Sequence, residues 1–286
     1  MSEFRRILFS RRTLLFLFVA ILLGTIFFLY DCNSDKVITI TGEELSEYID
    51  SYPKFLASVR DNADNYNTLA VLQRGFSAEN IRKTVKDYEK LSDVHPQFGE
   101  NKGFVLLSGY ITGDIVIIVV TLLIATGFSE ERKKGLITLI RSTKNGRKLL
   151  SFQRCVIIMI TAIVSSLLMH LTCFAVAQFS CGDMEVFRPI QSVPEFYLCP
   201  YSITIMDYLV YSVLIKALVA SICGLFLYFI SSVIESVISF GLCGIGLIIE
   251  CILYSIILPT DRLAVLKFCN VIAILRTDIF FNKYCN

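Results

Sequence analysis

Four ionisable side chains, Asp114, His170, Lys216 and Glu250, each interrupt a long apolar run. Such a group in hydrocarbon is costly, so by default it is a candidate for an ion, proton or substrate path. Asp114 reads as a carboxylate lining a cavity. Lys216 falls within the first turns of its run, near enough to the boundary for its ammonium to snorkel. Glu250 sits toward the outer third of its run, and the lone His170 is expected to hydrogen-bond to a neighbour. Asp114, Lys216 and Glu250 are therefore the pathway candidates, each with a plainer reading as a satisfied structural group.

A second concentration of chemistry lies between two apolar runs, from Ser129 to Arg154. It sets Arg132, Lys133, Lys134, Arg141, Lys144, Arg147, Lys148 and Arg154 against Glu130 and Glu131. Leu136, Ile137, Leu139 and Ile140 form a short apolar stripe, the pattern of a helix lying at a membrane interface. The acidic pair stands at the start of that helix, where the dipole favours it, and Asn145-Gly146 ends it. Two readings stay open: an ordinary basic loop that holds topology, or a docking element for a soluble partner.

The elements that position these groups are set by the apolar runs. The chain has 286 residues, is 55% hydrophobic and has a mean hydropathy of +0.64. Runs near the ~20 residues of a bilayer crossing recur five times. They cover Thr13–Tyr30, Phe104–Phe128, Cys155–Phe179, Tyr208–Ile230 and Val237–Leu258. The reading is an all-α polytopic membrane protein with five transmembrane helices and a small helical extracytoplasmic domain between the first two. Residues 1–12 form a basic tail, 31–103 the domain, 129–154 the charged segment, 155–258 the last three helices with their connections, and 259–286 a C-terminal segment.

Basic residues give the orientation. Arg5, Arg6, Arg11 and Arg12 place the N-terminus in the cytoplasm, with the 129–154 segment on the same side. Arg188 stands alone against Asp183, Glu185, Glu195 and Asp207, which suits the outside. Five crossings then leave the C-terminal segment outside. No small-residue cleavage site follows the first run, so it reads as an uncleaved span.

Within the domain, Leu45, Tyr48, Ile49, Tyr52 and Phe55 share one helical face, and Ile81, Val85, Tyr88 and Leu91 share another. The Asn-rich stretch Asp61–Thr68 between them reads as a loop. A lobe of this size buries only a modest core, so it is expected to lean on the membrane part or on another subunit. Cys181 and Cys199 share one outer loop and are the candidate disulfide pair. Gly241, Gly244 and Gly246, with Ser239, would let the fifth span approach another helix closely.

Neither a phosphate-cradling glycine loop nor a zinc-protease, serine-hydrolase or kinase signature is present, so no catalytic residues are assigned. No metal site, cofactor or nucleic-acid surface is indicated either. The basic residues lie where topology needs them, against membrane lipid.

The 129–154 segment resembles the coupling region of the permease subunits of ABC-type exporters, in the large bacterial export class called type two. That pattern runs from Glu through Gly, Ser/Thr-Thr and Gly/Ser-Arg to a basic residue. Here Glu130 or Glu131, Gly135, Ser142-Thr143, Gly146-Arg147 and Arg154 supply it. The resemblance implies that Glu131, Gly135, Arg141, Thr143, Gly146 and Arg147 contact or couple to a separate ATP-binding cassette ATPase. It also implies a second permease unit, as a homo- or heterodimer, and a multi-pass location in the cell membrane. Members of that class have six spans; with five here, the sixth is expected to be lost by truncation or supplied by a partner. The alternative class is a non-transporting sensor or scaffold, binding a ligand outside and a protein inside.

Overall fold

The structure is a computed structural model and describes residues 11–34, 42–70, 76–133, 146–182, 184–231, 233–257 and 270–281. It is 81% helical with no strands among these residues, and five of its helices are long and apolar enough to cross a membrane. The protein is an all-α polytopic membrane protein. The spans cover Thr13–Asn33, Lys102–Phe128, Leu150–Cys181, Ile205–Ile230 and Val237–Ile256. The second, third and fourth pack on one another, and the first lies across the second and third.

Three boundaries differ from the apolar-run reading in ways that matter. The third span belongs to a helix running Gly146–Cys181, so Arg154 lies inside a helix and not in a loop. The fourth helix starts at Ile205, earlier than its apolar run, because Thr204 and Asp207 form a reciprocal cap. Thr204 Oγ1 accepts from the Asp207 backbone N–H at 3.1 Å, and Asp207 Oδ2 accepts from the Thr204 N–H at 3.0 Å. The second span is broken: one helix covers Lys102–Ser108 and the next covers Thr112–Lys133, with Gly109-Tyr110-Ile111 between them.

The lobe is a helical hairpin, Gly42–Ala70 and Phe76–Glu89. The stretch Asp61–Thr68 is helix, not loop. It holds neither Gly nor Pro, and the propensity cost of Asn and Asp is only a fraction of a kcal/mol each, about 0.7 at most. Leu45, Tyr52 and Leu91 are buried. Tyr48, Tyr52 and Phe55 close on Tyr197, with ring centroids 4.3, 5.2 and 4.6 Å away. Tyr48 and Tyr88 donate hydroxyl bonds to the carbonyls of Pro194 and Leu198, at 3.1 and 2.9 Å. Burial pushes the Tyr88 phenol up to about 12.

The 184–204 connection that receives the lobe is itself tightly fastened. Arg188 is buried and donates to the Glu100 carbonyl and, at 2.7 Å, to Asn101 Oδ1. Desolvation holds its guanidinium below the ordinary arginine range. Gln191 Nε2 donates to the carbonyls of Cys199 and Tyr201, at 3.2 and 2.7 Å. The lobe thus rests on a hydrogen-bonded platform at one end of the bundle, called here the lobe end.

The candidate disulfide is not formed: Cys181 and Cys199 are both free and buried. Cys199 lies among the lobe's aromatic residues, where burial pushes its thiol up to about 11. Cys181, at the end of its helix, has its thiol against that of Cys32 on the first span.

Candidate functional site

Asp114, His170 and Lys216 come from three different spans and meet at one point. Lys216 Nζ lies 2.9 Å from Asp114 Oδ2, and His170 Nε2 lies 3.3 Å from Asp114 Oδ1. The ammonium also faces the Tyr110 carbonyl at 3.3 Å and His170 Nε2 at 3.5 Å. Lys216 thus has two hydrogen-bond acceptors, the Tyr110 carbonyl and His170 Nε2, and Asp114 Oδ2 as its counter-charge. Side-chain exposure is 2% for Asp114, 1% for Lys216 and 11% for His170.

The local backbone explains why a charge can sit there. Asp114 falls in the first turn of the helix that follows the break, where the dipole stabilises a carboxylate. The break leaves the Tyr110 carbonyl available, and Lys216 takes it. The Tyr110 hydroxyl donates to the Gly24 carbonyl, tying the break to the first span. Irregular backbone at membrane depth is tolerated only when protein buries it in this way.

Depth follows from helix rise. Lys216 is eleven residues from Ile205 and His170 eleven from Cys181, in each case about 16 Å from the lobe end. That is about half of a ~30 Å hydrocarbon core. Lys216 therefore does not snorkel, contrary to the expectation for a residue near the start of its run. The apolar run begins later than the helix, which made the lysine look shallower than it is.

Close helix approach brings the three spans together. Gly224 on the fourth span faces Thr121 and Ile158, and a Cβ there would lie 2.6 and 2.7 Å from their methyl carbons. Thr25 and Thr172 hydroxyls meet at 3.2 Å between the first and third spans. At the other end of the bundle, Arg154 donates to the Phe128 carbonyl at 3.2 Å and lies 5.4 Å over its ring. This contact fastens the second and third spans just inside the segment that joins them.

Comparison with known proteins matches the chain to no family model, no curated protein and no solved structure. The site must be read from its own geometry.

Glu250 is placed elsewhere. Its carboxylate accepts from the Val271 N–H at 3.2 Å and its carbonyl accepts from Asn270 Nδ2 at 3.0 Å. Those bonds anchor the short helix Val271–Leu275 to the fifth span. It also lines a pocket of about 300 Å³ with Ile118, Cys223 and Cys243. Of the coupling candidates, Gly135, Arg141 and Thr143 lie outside the described residues. Glu131 falls in the last turn of the helix ending at Lys133, and Gly146 and Arg147 open the helix of the third span. The side chains of Glu131 and Arg147 are outside the description.

Sequence reasoning singled out each member of the triad but not their meeting. It also missed Gly224, which stands in an ordinary apolar run and carries no spacing signal. At the glycines it did single out, Gly241, Gly244 and Gly246, a Cβ would find no neighbour within 4 Å among the described residues.

Proposed function

We propose that the chain is the permease subunit of an ABC-type exporter, lying in the cell membrane and driven by a separate ATPase. Its N-terminus and the 129–154 segment face the cytoplasm, and the lobe and residues 259–286 face outward. The segment seats on the ATPase, and a second permease unit completes the translocation path. The observation that carries this reading is the fastening of the second and third spans by Arg154, the last residue of the segment, to Phe128, the residue just before it. A displacement of the segment would move both spans as a unit, and the Asp114–Lys216 pair would pass it to the fourth. ATP closure at one face would thereby reach the middle of the bundle.

A sensor or scaffold is the second reading, favoured by the aromatic docking of the lobe. A ligand that opened the Tyr48–Tyr52–Phe55–Tyr197 cluster would disturb the platform leading into the third and fourth spans. Co-purification in detergent with a candidate ATPase separates the two. Gly135→Trp and Arg147→Glu are expected to reduce ATPase recovery sharply, while unchanged recovery with both would reject the coupling role.

A further inference from the structure

The Asp114–His170–Lys216 cluster has an unfilled bonding position that one proton would satisfy. His170 Nδ1 lies 2.8 Å from the Ser166 carbonyl oxygen. A carbonyl oxygen only accepts, so Nδ1 carries the hydrogen in this bond. In the neutral imidazole, Nε2 is then a bare acceptor. It faces a donor, Lys216 Nζ at 3.5 Å, and another acceptor, Asp114 Oδ1 at 3.3 Å. Neither Asp114 oxygen has an aligned hydrogen-bond donor among the described residues, although both have a cationic or ionisable neighbour.

We infer that His170 Nε2 is a proton-binding site at the middle of the bundle, with Asp114 Oδ1 as the acceptor that holds the bound proton in place. Uptake of a proton on Nε2 turns the contact with Oδ1 from acceptor–acceptor into a charge-assisted donor–acceptor bond. The same event places two cations around one carboxylate, so Lys216 loses its Nε2 acceptor and keeps Asp114 Oδ2 and the Tyr110 carbonyl. The second, third and fourth spans are thus joined by two alternative bonding patterns that differ by one proton. On release, the proton leaves Nε2 as it came, and no bond between heavy atoms changes.

The charged groups acting on His170 are Asp114 from the second span and Lys216 from the fourth. Cys173, one turn along the third span, faces the same pair. The first span contributes the Gly24 carbonyl beneath Tyr110, and its nearest acid, Asp31, acts on that tyrosine. His170 also lines an apolar groove of about 320 Å³ between the third and fourth spans, with Leu167, Phe174, Leu209 and Val213. This inference does not depend on coupling to an ATPase.

The chain has only two histidines, His95 and His170, which makes the test direct. His95 is exposed and can be replaced by alanine, leaving one ring to observe. Nitrogen-15 spectra of the full His95→Ala protein in lipid nanodiscs would be recorded across a pH series, with helicity followed by circular dichroism. The expected result is a neutral ring in the Nδ1–H form at high pH, converting reversibly to the doubly protonated ring as pH falls while helicity is kept. Asp114→Asn should abolish the doubly protonated form over the same range, and Asp114→Glu should restore it. A neutral ring in the Nε2–H form would overturn the inference. So would a ring that stays neutral throughout the range in which the protein is folded, or a titration that Asp114→Asn leaves unchanged. If Asp114→Asn fails to fold, the tautomer and titration of the parent protein still decide.

Discussion

The second and fifth spans are equally apolar to the eye and have opposite roles in the structure. In the second, 56% of the most apolar window is buried; in the fifth, 6%. The second carries a break, a carboxylate and contacts to every other span. The fifth meets the second and fourth only lightly and presents Ile238, Leu242, Ile245, Ile249 and Ile252 outward. Apolar character alone therefore does not locate the interior of a membrane bundle. Polar pairing and small residues facing close neighbours do, because lipid competes for apolar surface as well as another helix does.

Single-site changes should separate the two regions most sharply at the charge cluster. Asp114→Leu leaves Lys216 buried without its counter-charge, and is expected to destabilise by about 3–5 kcal/mol. Equilibrium unfolding in mixed detergent would read this, and a loss below about 1 kcal/mol would remove the pair from the interior's energetics. Next in size is Gly224→Val, which forces side-chain carbons into Thr121 and Ile158 and should cost about 1–3 kcal/mol. The matched change in the fifth span, Gly244→Val, meets no neighbour within 4 Å among the described residues and should fall within about 0.5 kcal/mol of the parent. Equal effects of the two valines would dissolve the contrast between the spans.

Smaller effects are expected at the lobe. Tyr197→Ala removes the ring on which Tyr48, Tyr52 and Phe55 converge, and should make the Gly42–Glu89 hairpin a faster target for limited proteolysis while the spans stay protected. Alkali offers a gentler probe. The Tyr88 phenol is raised by burial from 10.0 to about 12, so folding favours its neutral form. Its contribution is complete below about pH 10 and is lost as pH rises toward about 12. Proteolysis of the lobe should therefore accelerate over that window in the parent and less so in Tyr88→Phe.

Five crossings were legible because unbroken apolar runs of membrane length have few other physical explanations. The depth of Lys216 was not, since the cap formed by Thr204 and Asp207 extends the helix into sequence that looks polar. Asp114, His170 and Lys216 each drew notice as ionisable groups in apolar surroundings. Their convergence depends on the rotation and depth of three helices, and sequence spacing within any one helix is blind to both. Arg154 was counted with the basic segment for the same reason: charge marked it as loop, while its bond to Phe128 places it in the packed bundle. Glu250, equally conspicuous, turned out to hold the short helix Val271–Leu275 in place.

Whether the buried Asp114–Lys216 pair holds the interior spans together is decided by a double-mutant cycle on unfolding free energy. Asp114→Leu and Lys216→Met would be measured alone and combined. Each single change is expected to cost about 3–5 kcal/mol, and the double change clearly less than their sum because no unpaired charge remains. Strict additivity, within about 0.5 kcal/mol, would contradict that role.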